Sequence, residues 1–236
     1  MKMLESREVT KQFGSKTAVD HISLKMEPRH IYAMLGPNGS GKTTWMKMAA
    51  GLIKPTSGEI LFRDRPVDVE SRKEIAYMST EPYFYTWMTV KSVGKYYQDF
   101  FQDFSMDRYQ ELIRRMELTE DLKTRSLSSG MMAKLKIAVT MARKAKVFML
   151  DEPFNGIDLL ARDAIAKTIL EAAGDDSLLL VSTHMVEEME SFADTAVFIR
   201  DGKLVAVREL EEMRETENKS MTDKYREIYG HVEAIS

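Results

Sequence analysis

The chain has 236 residues, a formal net charge of −3, 44% hydrophobic and 30% charged residues, and no cysteine. That length holds one sizeable domain of ordinary globular composition. Disulfides, thiolate metal sites and cysteine nucleophiles are excluded, and the charge balance lacks the basic footprint of a nucleic-acid binder.

The opening run, Met1-Lys-Met-Leu-Glu-Ser-Arg-Glu8, has no signal-peptide core. No stretch approaches the roughly 18 apolar residues of a membrane span, so a membrane role is expected only through a partner. Ile22, Leu24 and Met26 alternate with polar residues as in a half-buried strand, and Ile31–Leu35 is a buried-strand run. A glycine-rich loop follows, then a helix over Lys42–Leu52 ending near Gly51, a turn at Pro55–Gly58 and a strand over Glu59–Phe62. From about residue 83 to 145 strand signals give way to helical periodicity, with aromatics clustered from Tyr83 to Phe104. Alternation then returns: a strand at Val147–Leu150, a helix from about Asp158 to Ala173 and a strand at Ser177–Thr183, as in a parallel sheet with crossover helices. Asp201-Gly202 marks a hairpin between Val197–Arg200 and Lys203–Val207. The charged tail from Arg208 reads as a solvated helix face, and the 18 methionines as adaptable core filler. The expectation is a single α/β domain over 1–236, with a core lobe at about 1–82 and 146–236 and an inserted helical lobe at 83–145.

Gly36-Pro-Asn38-Gly39-Ser40-Gly41-Lys42-Thr43 matches G-x-x-x-x-G-K-[ST] between a strand and a helix. Its glycines let the backbone wrap phosphate oxygens, and amide N–H groups at the helix start, including Thr44, face the anion. Lys42 is expected at the β- and γ-phosphates and the Thr43 hydroxyl on Mg²⁺. Phe148-Met-Leu-Asp151-Glu152 puts two carboxylates at a strand's C-terminal end, where open α/β sheets bind ligands. Asp151 is the candidate for holding Mg²⁺ and Glu152 the candidate general base.

The order of phosphate loop, Leu127-Ser-Ser-Gly-Met131, Asp151-Glu152 and Ser182-Thr-His184 resembles the nucleotide-binding subunit of an ABC transporter, over about residues 5–230. The resemblance implies a P-loop NTPase core, with a mixed sheet and an N-terminal antiparallel part. It implies ATP and Mg²⁺ as ligands, and two subunits sandwiching two ATPs head to tail. Ser128 and Gly130 would then touch the γ-phosphate bound by the other chain, from the start of a helix whose Leu135, Ala138 and Met141 or Ala142 form one buried face. Ser128 equally fits a helix N-cap. His184 occupies the family's switch position at the γ-phosphate, and Phe13 that of the aromatic stacked on adenine. Asp158 lies in the family's inter-subunit loop and fits a helix N-cap as well. His21, His30 and His231 match nothing in the pattern.

Three positions depart from the family. Thr80, with Glu81 beside it, stands where a metal-reaching glutamine is usual; Ser129 replaces a glycine and Met131 a polar residue. Such departures resemble ATPases of bacterial ABC-2 exporters, some of which export lipids, antibiotics or amphipathic peptides. The resemblance implies a motor subunit on the inner face of the membrane, partnered by a second ATPase chain and a transmembrane permease. Tyr83–Trp87 would line the permease groove, while Tyr96–Phe104 would pack the helical lobe. A soluble ABC-type ATPase of translation or DNA maintenance is the alternative. It would carry tandem modules, a long coiled coil or a basic surface, and none of these is in the sequence. A nucleotide-binding regulator without turnover would not need both Glu152 and His184.

Overall fold

Two sheets share one apolar layer, and their strands differ in how many faces they bury. The structure is a computed structural model and describes residues 2–81 and 83–230; His231 lies outside them. β1 (Leu4–Phe13) and β2 (Lys16–Met26) pair antiparallel, and β4 (Ser57–Phe62) pairs antiparallel with β1. With the short β5 (Arg65–Pro66) they form a sheet of order β2-β1-β4-β5. Here burial alternates along β2, as its sequence pattern predicts.

The second sheet is built from β3 (His30–Leu35), β6 (Ile75–Met78), β7 (Val147–Asp151), β8 (Leu178–Thr183), β9 (Thr195–Arg200) and β10 (Lys203–Glu209). Its order is β10-β9-β3-β8-β7-β6, all parallel except the edge strand β10. Apart from the largely exposed edge strand β10, these strands read as mostly apolar runs because both faces are covered. Met34, Met149, Leu178 and Leu180 pack toward the first sheet, together with Trp45 of α1 (Lys42–Ala49). Leu35, Phe148, Leu150 and Val181 pack on the opposite side against the helices.

Those helices are α2 (Val90–Phe100), α3 (Met106–Arg115), α4 (Ser129–Met141) and α5 (Leu159–Ala173). Thr89 and Ser92 form a reciprocal capping box at the start of α2, and Ser105 caps α3. Gly94 of α2 is required by close approach: a Cβ there would lie 2.3 Å from the Tyr109 ring, whose hydroxyl donates to the Val90 carbonyl at 2.6 Å.

Three expectations need correction. α4 does not have a single buried face; residues 135–141 are buried on all sides, because the helix lies between the sheet and its helical neighbours. Tyr96 and Phe100 do not pack the helical region but are exposed, whereas Tyr97 and Phe101 are partly buried and Phe104 is buried. The tail begins as strand, since β10 runs to Glu209. Beyond it α6 (Leu210–Glu212), a π-helical turn and α7 (Met221–Tyr229) bury Leu210, Met213, Met221 and Tyr229, so the segment is anchored as well as solvated.

Arg143, just after α4, is buried and holds the start of β6. It donates to both Asp103 carboxylate oxygens (3.0 and 3.1 Å), to the Ile75 carbonyl (3.2 Å) and to the Lys73 carbonyl (2.6 Å), with Phe101 stacked on its guanidinium. Removing one partner of such a buried set leaves the others unpaired. Arg143→Ala is therefore expected to lower unfolding free energy by about 3 kcal/mol, read by urea denaturation, with Arg143→Lys recovering only part because it lacks the planar fork. A loss under about 0.5 kcal/mol would refute this clamp.

Candidate active site

The phosphate loop and three more of the singled-out segments leave the C-terminal ends of parallel strands: 36–41 after β3, 79–81 after β6, 152–158 after β7 and 184–185 after β8. That shared edge is what brings together residues over a hundred positions apart. Residues 36–41 fold tightly. Gly41 caps α1 with φ +109, and a Cβ there would lie 2.5 Å from the Ala18 carbonyl of β2. Gly39 has φ +80 with nothing within 4 Å of a built Cβ, so this glycine serves the backbone turn alone.

The loop walls a cleft of about 430 Å³. Asn38, Gly39, Ser40, Gly41, Lys42, Thr43 and Thr44 line it, together with Phe13, Lys16 and Ala18 from the first sheet and Thr80, Glu152 and Asn155 from the loops after β6 and β7. Phe13 is 52% exposed rather than in the core, with the Lys11 ammonium 5.1 Å from its ring centroid.

Lys42 is buried. Its ammonium donates to the carbonyls of Gly36 (2.7 Å) and Pro37 (3.2 Å) and lies 3.6 Å from Glu152 Oε1. Burial pushes its pKa down, and the Glu152 and Asp151 carboxylates oppose that shift. Asp151 is fully buried at the end of β7: Oδ1 accepts from the Ser182 hydroxyl and Oδ2 from the Tyr77 hydroxyl at 3.1 Å. Burial, then the Asp151 charge, drives the Tyr77 pKa far above its ordinary value, so the phenol stays a donor. Glu152 has a left-handed backbone (φ +51), a strained geometry for a residue with a Cβ. Its N–H donates to both the carbonyl (3.0 Å) and the hydroxyl (3.1 Å) of Ser182. Its Oε2 meets His184 Nδ1 at 2.9 Å, while its buried Oε1 has no hydrogen bond.

Thr80 and Glu81 part company. Thr80 lines the cleft, whereas Glu81 turns outward to Lys47 of α1 at 2.9 Å, and that bond lowers its pKa. Asp151, His184, Ser128, Gly130 and Asp158 do not line the cleft, although Asp151 and His184 adjoin Glu152, which does. Ser128 is the N-cap of α4, accepting from Met131 N–H at 3.2 Å. Gly130 packs on the loop after β7, where a Cβ would lie 2.6 Å from the Gly156 carbonyl. Asp158 stands at the N-cap position of α5 without a side-chain cap bond. His21 pairs with Asp20, and His30 bonds Thr195 at 2.8 Å; both are structural contacts.

Sequence reasoning missed Tyr77, Lys16, Ala18 and Asn155 as neighbours of the site. Ser182 is directly opposite Asp151 in the strand register, so a strand alignment would have found it; Tyr77 needs the fold as well.

The donor set suits a phosphate ester. Ser40 Oγ is buried without a hydrogen bond, beside the first-turn N–H groups of α1 that lack intrahelical partners. Among the described residues, no group of three or more His, Asp or Glu side chains could hold a metal alone. Thr43 lines the cleft, and Asp151 is buried next to Glu152 with its oxygens held by Ser182 and Tyr77; hard oxygen donors of this kind suit a Mg²⁺ ion shared with substrate phosphates, the usual way this ion is held.

Residues 19–155 match the family described as ABC transporter. The chain is 31% identical to the ABC transporter ATP-binding protein YtrB of Bacillus subtilis, over 90% of this chain and 74% of the relative. It is 28% identical to the lantibiotic transport ATP-binding protein SrtF of Streptococcus pyogenes, over 88% of this chain and 91% of the relative. Its fold is shared by a structure described as the ATP-binding subunit of an ABC transporter, with TM-score 0.84 and 24% identity over 96% of this chain and 99% of that one.

The exposed Phe13 ring yields a test. Base stacking on an aromatic is worth about 1–3 kcal/mol, so Phe13→Ala is expected to weaken ATP binding about tenfold and Phe13→Tyr to leave it unchanged, both by isothermal titration. Equal affinity in the alanine variant would remove Phe13 from the site.

Proposed function

Because the chain belongs to the ABC transporter family, whose cassettes bind and hydrolyse ATP, we propose that it is the motor subunit of an exporter, working as two ATPase chains around two ATP molecules and driving a separate membrane permease. The observation that carries the two-chain reading is the separation within one chain. The phosphate loop, Glu152 and Thr80 line the cleft, and Asp151 and His184, which do not line it, directly adjoin Glu152, whereas Ser128, Gly130 and Asp158 stand off it. A second chain that brings its own Ser128–Gly130 to the γ-phosphate completes the site, with the N-terminus of its α4 favouring negative charge.

In this reading Lys42 exchanges the Gly36 and Pro37 carbonyls for β- and γ-phosphate oxygens. Glu152 takes the proton of the attacking water at Oε1, the oxygen that His184 leaves open by holding Oε2. The water oxygen bonds to the γ-phosphorus as the bond from that phosphorus to the bridging oxygen breaks, and ADP leaves with the electron pair. His184 Nδ1 is engaged by Glu152, so Nε2 is the nitrogen directed to the γ-phosphate. Ser182 and Tyr77 orient Asp151, which with Thr43 would hold Mg²⁺. When bound, Mg²⁺ neutralises charge developing on the phosphate oxygens.

The exporter reading draws on the relative named for lantibiotic transport, with amphipathic peptides, antibiotics or lipids as candidate cargo. The permease reading draws on a surface: Tyr85 and Trp87 are exposed and stacked at 5.8 Å, and Tyr96 and Phe100 extend them along α2. Exposed aromatics of this density suit a docked helix. No helix among the described residues is long and apolar enough to cross a membrane.

Glu152→Gln is expected to keep ATP affinity, to cut phosphate release by about 10²–10⁴-fold, and to yield an ATP-stabilised dimer in size-exclusion chromatography; undiminished turnover would overturn the base assignment. The double variant Tyr85→Ala, Trp87→Ala is expected to lose co-purification with a co-expressed permease partner while binding ATP as before. Full retention of the permease would place the docking surface elsewhere.

A further inference from the structure

The helix that begins at Ser129 contains a lysine within its most buried stretch. Lys136 is 5% exposed, between Leu135 and Ile137, which are fully buried. An ammonium is costly to desolvate, and a methionine would fill the same space without that cost. What the lysine gains is on the opposite side of the cleft wall. Its Nζ donates to the carbonyls of Ser79 (3.2 Å) and Thr80 (2.7 Å) and lies 5.4 Å from the centroid of the Tyr83 ring. Thr80 is the residue of that loop that lines the cleft. Arg143, just past the C-terminal end of the same helix, grips the start of β6. α4 therefore holds β6 at one end and the loop that leaves it at the other.

We propose that Lys136 is a positioning residue that links the nucleotide cleft to the Ser128–Gly130 end of α4 within one chain. The loop occupies the place where a glutamine side chain is usual, and Thr80 is too short to do that work. Here the loop is held by its backbone instead, from the helix that carries the cross-chain contact. A nucleotide that displaces Thr80 moves two carbonyls bonded to a charged donor. α4 is a continuous helix, so the displacement at Lys136 reaches its first turn. The link rests on the two-chain reading for its purpose, but it operates inside one chain and is measurable there.

The test is hydrogen exchange on the full chain, kept dilute enough to be monomeric, with and without Mg²⁺ and the non-hydrolysable analogue AMPPNP. Parent protein is expected to gain protection at residues 128–132 on binding. Lys136→Met is expected to bind AMPPNP within about threefold of the parent, while protection at 79–81 and the nucleotide-induced change at 128–132 fall about tenfold, the usual scale of a lost hydrogen bond to a charged donor. Lys136→Arg, which can still reach the carbonyls, is expected to restore most of both. Should the methionine variant not fold, Lys136→Gln keeps an uncharged donor group and is read at the same amides. An unchanged response at 128–132 in the methionine variant overturns the proposal. So does a parent without any response there, or an affinity loss as large as the loss of response. At high concentration, a parent that responds at 128–132 yet never dimerises with nucleotide would sink the two-chain reading and leave the link standing.

Discussion

The hydrogen bonds between the ends of β7 and β8 are the interaction on which the site depends. Ser182 sits opposite Asp151 in the register. Its hydroxyl serves Asp151 and accepts from Glu152 N–H, and its carbonyl accepts from the same N–H. One serine thus fixes the first carboxylate and holds the second residue in a left-handed backbone. That conformation is unfavourable for glutamate by itself, on the order of 1–3 kcal/mol. It persists because two bonds to Ser182 and one to His184 over-determine it. The consequence is geometric: Glu152 turns back over the phosphate loop toward Lys42 instead of following the strand into solvent.

The sheet supplies the stiffness those bonds need. β7 and β8 lie inside the six-stranded order, covered on both faces, so the strand ends do not shift relative to one another without opening packed layers. The covering layers differ in chemistry. One side is closed by α1 and the antiparallel sheet, which also brings β1 and β2 to the cleft and so places Phe13, Lys16 and Ala18 in its lining. The other side is closed by α4 and α5.

Much of this was legible in the sequence, and the reason is local. The phosphate loop is set by glycine spacing, the two-sided strands by mostly apolar runs, the β9–β10 hairpin by Asp201-Gly202. The failures come from contacts between distant segments. α4 was read as one-faced because periodicity reports a helix against one surface, and this helix meets several. Phe100 follows the helical pattern of an apolar residue yet lies outside, since periodicity marks a face and does not say whether the chain itself covers it. Glu81 adjoins Thr80 in sequence, but Lys47, 34 positions away, holds its carboxylate outside the cleft. Lys136 carried no signal at all: a lysine in a helix is unremarkable until a carbonyl is found beneath it.

Three buried cations share a chemistry and differ in consequence. Lys42, Lys136 and Arg143 each spend their donors on backbone carbonyls. Carbonyl dipoles are adequate partners for a buried cation but weaker than an ionised oxygen. Arg143 also has Asp103, so its bonds persist and the start of β6 stays anchored. Lys42 faces a site built for phosphate, so a stronger acceptor can draw it off the loop. Lys136 lies between these cases: its carbonyls belong to a loop that itself borders the cleft. The anchored end of β6 then acts as a fixed point, and movement at the cleft is confined to the loop beyond Met78. A clamp at one end and a responsive bond at the other let α4 turn a change around the phosphates into motion of its own first turn.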